Sequence, residues 1–298
     1  MENKISIVPE SKEHWLKLRH KNINSTEISA LFGCSPYMTE FELWHLKRSE
    51  DYVSIEETEV MRWGSRLQDS IAYGAAADKG WKNPRPIKEY MYLPDLRIGS
   101  SFDFIVNEEE ILEIKNVSER AYAKNWTDEE GPSHLELQLQ FQMLISGYRR
   151  GYLCALTGGN SLKVIERSYM PSVGDAILKK VKHFWERDTE PAVNFERDAE
   201  FIRSLYQNVD PNKIIEGDDT MLALAQRYNA LSSQISLAEN QKRAVQAQLL
   251  MLAGTAEKVR HEKFTLSLNQ VKESFVAAHT RAARRGFRLT MRGADEQG

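Results

Sequence analysis

Cysteine is nearly absent: the 298 residues hold only Cys34 and Cys154, far apart and without a C-x-x-C partner. That excludes a disulfide framework, argues against a zinc or iron-sulfur site, and fits a reducing cytoplasm. Long apolar runs are missing as well. No segment approaches the roughly 18 uninterrupted apolar residues of a membrane span, and the opening MENKISIVPESKEHW lacks an apolar core of signal-peptide length. The expectation is a chain that neither crosses nor is targeted to a membrane. An excess of one charge is lacking too. The formal net charge is -3, so any contact with nucleic acid has to come from local basic clusters. Neither a G-x-x-x-x-G-K-[ST] loop, a G-x-S-x-G elbow, a G-x-G-x-x-G fingerprint nor an H-E-x-x-H helix occurs, and the seven histidines are scattered. There is no repeat architecture and no low-complexity tract.

What is present suffices for a sizeable core, since 41% of the residues are hydrophobic. Residues 12–79 read as helical, broken at Gly33 and Pro36, with Thr26 as the cap of TEISALF and a second cap-plus-acid pattern in TEFELWHLKR. Alternation then replaces helical periodicity. IKEYMYLPDLRIGSSFDFIVNEEEILEIKN reads as three antiparallel strands with turns at Pro94-Asp95 and Asn107-Glu108, and GYLCALTGGNSLKVIERSYM as two more strands joined at Gly158-Gly159. Residues 133–147 are ambiguous. Leu135, Leu137, Leu139, Phe141 and Met143 recur at period two, as in a strand, yet Leu, Glu, Gln and Met favour helix and Pro132-Ser133 offers a helix start. Helix is the preferred reading. We place one domain over residues 1–210 and a mainly helical extension over 211–298. Leu224, Tyr228, Leu231, Ile235, Ala238, Lys242, Val245, Leu249 and Leu252 form a heptad seam there, followed by the strand-like KFTLSLNQV and a tail rich in arginine from Arg281 to Arg292. The seam could pack on its own core, the preferred reading, self-associate or bind a partner, and the tail could meet DNA phosphates or be a disordered, solvated terminus.

The stretch ILEIKN puts Leu112 and Ile114 on one face of a strand and Glu113 and Lys115 on the other. With Asp103 on the preceding strand, a hairpin through Asn107 would bring the two carboxylates side by side, strands being about 4.8 Å apart. Asp103 and Glu113 could then share a divalent cation, and oxygen ligands favour Mg2+ or Mn2+ over zinc. Lys115, about 7 Å along the same face, could reach an attacking water or a phosphate. Such a constellation suits phosphodiester hydrolysis. An acid and a lysine on a solvated sheet face is the plainer alternative.

Several motifs stand in one order: WLKLR, STEISALFGCSPY, MRWGSRLQ, GSSFDF, LEIKN and LQLQFQMLISG. Together they resemble the YqaJ-type viral recombinase family, of the phage lambda exonuclease kind, within the PD-(D/E)XK nuclease superfamily. The resemblance implies an α/β (α+β) fold, a mixed central sheet flanked by helices. It further implies an enzyme that degrades one strand of double-stranded DNA from a 5'-phosphorylated end, 5' to 3', using Mg2+. Family members supply single strands to a single-strand annealing protein, form homo-oligomeric rings, and work in the cytoplasm of a bacterial host as phage or prophage products. Carried over by residue, Asp103 and Glu113 would be metal ligands and Lys115 would position or activate the water. Gln138 would stand on a helix beside them, and Arg19, Thr26 and Ser101 would hold the 5' phosphate. Gln68 stands where the family pattern has glutamate, and a neutral amide binds a hard cation less well and cannot take up a proton. Asp69, about 100° away on a helix, is a poor substitute. A restriction-like endonuclease, or a catalytically impaired DNA-end-binding or scaffolding protein, stay open beside the exonuclease.

Overall fold

Helix starts follow capping side chains. In the computed structural model, which describes residues 3–50, 52 and 57–268, β1 (Ile5–Ile7) leads into α1 (Lys12–Lys21), whose Ser11 cap accepts the N–H of His14. After β2 (Ile23–Asn24) and the single turn α2 (Ile28–Leu31), Thr39 caps α3 (Glu40–Arg48) by accepting from the N–H of Glu42, and Thr58 caps α4 (Glu59–Lys79). Thr26 does not cap. The residue before α2 is Glu27, with no side-chain cap bond, and the Thr26 hydroxyl accepts instead from the Arg19 guanidinium.

The strand-rich middle holds β3 (Arg85–Pro86), β4 (Tyr90–Leu93), β5 (Ile98–Ser100), β6 (Phe104–Val106) and β7 (Glu110–Val117). Of the three expected strands, the middle one is divided. β5 belongs to a sheet of order β1-β4-β5-β2, whereas β6 belongs to a second sheet. Asp103 lies in the break just before β6, not on a strand. α5 (Glu119–Asn125) and α6 (Ser133–Ser146) then cross to β8 (Arg150–Thr157), which turns at Gly158 and Gly159 into β9 (Ser161–Ser168). The second sheet is mixed, in the order β3-β6-β7-β8-β9, with β7 and β8 parallel and its other pairs antiparallel. The intervening helices make that parallel pairing possible. α7 (Pro171–Glu186) and α8 (Ala199–Leu205) follow.

Helices cover both faces of this sheet. Ile71, Ala72 and Ala75 of α4 pack on Leu112, Ile114, Tyr152 and Cys154, while Leu135, Leu139 and Met143 of α6 share the larger core with Ile111, Leu153 and Ala155. α6 is the helix that propensity favoured. It is buried on nearly every side, meeting α2 and α7 as well as both sheets. A helix without a solvent face has no amphipathic stripe, which is why its apolar period failed to declare it.

The chain divides after Arg203. The second unit holds α9 (Asp219–Ala253), opened by the Asp218 cap, and the hairpin of β10 (Lys258–His261) and β11 (Phe264–Ser267). Among the described residues none of α9 is buried. The arginine-rich tail and the end of KFTLSLNQV lie outside the described residues.

One close approach fixes the first sheet. A Cβ on Gly99 would stand 2.0 Å from the Tyr90 hydroxyl oxygen, and that fully buried hydroxyl donates to Asn24 Oδ1 at 2.8 Å. Gly99→Ala is therefore expected to destabilise the fold by about 1–3 kcal/mol through overpacking, seen as a lowered urea midpoint with an unchanged slope.

Candidate active site

β7 carries Glu113 into the interface with α6, leaving it 2% exposed. Burying a carboxylate is costly unless every lone pair finds a donor. Here the donors come from three side chains. Oε1 accepts from Lys115 Nζ at 2.5 Å and from Gln138 Nε2 at 2.6 Å, and Oε2 accepts from Gln142 Nε2 at 2.7 Å. Gln138 and Gln142 are four residues apart on α6, and so share one helix face. Lys115 lies two residues along β7 on the same face as Glu113.

Asp103 joins them by register. Phe104 pairs with Leu112, so Asp103, one residue earlier, comes alongside Glu113, and its Oδ2 accepts the Ile114 N–H at 2.8 Å. Burial and the nearby Glu113 carboxylate push the Asp103 carboxyl up to about 7, against the pull of Lys115, the Ile114 N–H and a hydrogen bond from Gln68. Gln68, half-buried on α4, thus reaches the same carboxyl group. Asp69 is exposed. Burial lowers the Lys115 pKa, yet Glu113 and Asp103 outweigh it and hold the pKa above its usual value. Lys115 is accordingly an ammonium donor and not a proton acceptor.

A second cluster lies beside the first, two residues from Asp103. Ser101 Oγ accepts from the Trp15 indole at 2.9 Å, the Arg19 guanidinium lies over the Trp15 ring at 4.7 Å, and Arg19 Nη2 donates to Thr26 Oγ1 at 3.0 Å. The three residues assigned to a phosphate are therefore gathered at one place, with Trp15 linking them. A guanidinium and two hydroxyls are donors suited to a phosphate monoester.

Sequence reasoning missed what holds these clusters. Gln142 was legible as the second member of a Gln-x3-Gln pair. The Glu27–Lys47 pair was not, since its members are brought together from two helical segments. Lys47 Nζ donates to Glu27 Oε1 at 3.0 Å and to the Arg19 carbonyl at 2.8 Å, and Glu27 accepts from the Asn24 N–H at 2.9 Å. Burial raises the Glu27 pKa, but Lys47 and Arg19 more than offset this and leave it low. The Arg19 side chain, 3.8 Å from Glu27, adds a second cation to one carboxylate, so the cluster has positive charge to spare for an anion.

The donor set fits a hard divalent cation. Among the described residues no three His, Cys, Asp or Glu side chains gather for a metal. Mg2+ is bound by one or two carboxylates with several waters retained, which is what Asp103 and Glu113 offer. Two adjacent carboxylates, one pushed to about 7, repel each other in a way a cation would relieve. Gln142 Oε1, buried and without a hydrogen-bond partner, is an acceptor for a water bound there.

Residues 14–149 match the YqaJ-like viral recombinase domain. The uncharacterized protein YqaJ of Bacillus subtilis (strain 168) is 32% identical over 251 residues, covering 80% of this chain and 77% of its own. The chain belongs to the YqaJ-like viral recombinase family. Among solved structures it is similar to an alkaline exonuclease (LHK-Exo) from Laribacter hongkongensis, with TM-score 0.47 and 14% identity over 65% of this chain and 97% of that one. It is also similar to a phage related exonuclease from Haemophilus somnus 129PT, with TM-score 0.40 and 10% identity over 57% and 94%. This YqaJ-like chain has the mixed sheet flanked by helices that the resemblance implied, with Glu113 and Lys115 on β7 and Asp103 in the break just before β6.

Two outcomes follow from the surroundings of Asp103 and Glu27. Because Asp103 must lose its proton to bind a cation, Mn2+ affinity measured by calorimetry is expected to rise with pH up to about 7 and to level off above it, and Asp103→Asn should remove the dependence. Lys47→Met leaves buried Glu27 with only the more distant Arg19 as a cation and is expected to destabilise the fold in urea denaturation, by less than the ~3–5 kcal/mol of a fully orphaned buried charge.

Proposed function

We propose that this protein is a Mg2+-dependent deoxyribonuclease that degrades one strand of duplex DNA from a 5'-phosphorylated end, in the 5' to 3' direction. The observation that carries the reading is the adjacency of two sites. Asp103, Glu113 and Lys115 are assembled two residues from Ser101, which with Arg19 and Thr26 forms a cluster of groups suited to a phosphate. Two residues of extended chain span about 7 Å, within the reach of one nucleotide between its 5' phosphate and the next phosphate.

The chemistry assigns each side chain a task. Asp103 and Glu113 would hold Mg2+, or Mn2+, which when bound neutralises phosphodiester charge and supplies a nucleophile at neutral pH. Gln138 and Gln142 fix the Glu113 carboxylate, and Gln68 orients Asp103. The Lys115 ammonium donates to the attacking water or to a phosphate oxygen. The water oxygen bonds to phosphorus as the water gives up a proton to solvent, the bond to the 3' oxygen of the terminal nucleotide breaks, and the leaving oxygen takes a proton from solvent. The released nucleotide keeps the original 5' phosphate. The scissile phosphate becomes the new 5' end, so each turnover restores the group that Arg19, Thr26 and Ser101 suit. Family membership supports a role in phage-type recombination, and the reading extends to a single-strand annealing partner, ring-shaped self-association and work in the host cytoplasm.

End-labelled duplex tests it. With Mg2+, a 5'-phosphorylated linear duplex should be degraded, a 5'-hydroxyl duplex more slowly and closed circular DNA not at all. Asp103→Ala should lower the rate at least 100-fold, and Arg19→Ala should erase the preference for the phosphorylated end. Cleavage of closed circles would assign a restriction-like endonuclease instead. If neither the natural chain nor Gln68→Glu cuts, yet ends are bound without metal, the protein is an end-binding scaffold and the enzyme reading fails.

A further inference from the structure

His134, Gln138 and Gln142 follow one another at intervals of four along α6 and share one face of the helix. The two glutamines use that face to hold Glu113. His134, one turn earlier, takes no part in that contact. Burial, and then the Lys115 ammonium, lower the pKa of its imidazole. Its ring meets Tyr37 edge-on, with centroids 5.8 Å apart and planes at 87°.

Tyr37 is 80% exposed, yet the backbone that presents it is pinned. Buried Ser35 accepts the N–H groups of Tyr37 and Met38 at 3.2 and 3.3 Å, donates its own N–H to the Ser29 carbonyl at 3.2 Å, and accepts the Arg197 guanidinium at its carbonyl at 2.5 Å. A large ring held in water contributes little to the core. Held against His134, one helical turn from the Gln138 that binds Glu113, it offers a flat π face to the base attached to a phosphate at that site. Stacking of this kind tolerates any base, as an enzyme consuming a strand regardless of sequence requires.

We propose that Tyr37, braced by His134, is the stacking platform for the nucleobase adjoining the scissile phosphate. The proposal rests on the nuclease reading above and goes beyond it by naming what holds the base.

The test is a binding cycle in the absence of divalent metal. Wild type and Tyr37→Ala are titrated with 5'-phosphorylated duplexes that are either intact or abasic at the first or the second nucleotide of the 5' strand. Stacking of one base is worth about 1–3 kcal/mol, or roughly 5- to 150-fold in affinity. We expect Tyr37→Ala to lose that much on the intact duplex and nothing further on the duplex abasic at the stacked position, with Tyr37→Phe close to wild type. An unchanged melting temperature for Tyr37→Ala, whose side chain is exposed, separates this from misfolding, and His134→Ala should show a smaller loss with the same non-additivity. Additive losses at both positions, or no loss for Tyr37→Ala, overturn the platform while leaving the nuclease reading intact. A wild type that neither binds nor cuts duplex ends overturns both.

Discussion

The buried Glu113 carboxylate is the constraint around which the first unit is arranged. A carboxylate at 2% exposure is tolerable only when hydrogen-bond donors meet it, and here they come from the strand and from the helix over it. Lys115 is drawn from the same strand, and Gln138 and Gln142 from the helix that covers it. Those glutamines require α6 to lie over β7 with one face turned to the sheet, and α6 in turn supplies the parallel crossover to β8. The core and the site are thus parts of one packing solution, with polar bonds fixing the register of an otherwise apolar layer.

A second constraint is the break between β5 and β6. The chain leaves one sheet at Ser100 and enters the other at Phe104, and the three residues between belong to neither. Ser101 closes the Trp15–Arg19–Thr26 cluster, and Asp103 comes alongside Glu113. Continuous pairing would have tied this segment to one sheet. The interruption lets one short segment face two sites, and the Glu27–Lys47 pair fixes the first by binding both the Asn24 backbone and the Arg19 carbonyl.

Much of this was legible from residue patterns, and the misses have physical causes. Local signals read well: Thr39 caps α3, Gly158-Gly159 turns a hairpin, and Leu112 and Ile114 lie on the face opposite Glu113. The two-residue β2 was read as helix because Ile23 and Asn24 carry no period of their own, and their pairing with Ile98 and Gly99 is decided 75 residues away. Thr26 looked like a cap because its neighbours read as a helix start, but Arg19 claims its hydroxyl. In the site, Asp103, Glu113 and Lys115 could be read from alternation and spacing. Glu27 and Lys47 could not, since a buried ion pair formed across 20 residues leaves no periodic trace.

The claim on which the rest turns is that Asp103 and Glu113 together form a cation site. Crystals grown with Mn2+ at a pH above 7 and measured for anomalous scattering test it most directly. The account predicts an anomalous peak within coordination distance of both carboxylates, lost in Asp103→Asn. A difference map with no peak there, or manganese bound elsewhere while both carboxylates keep their metal-free hydrogen bonds, would contradict it.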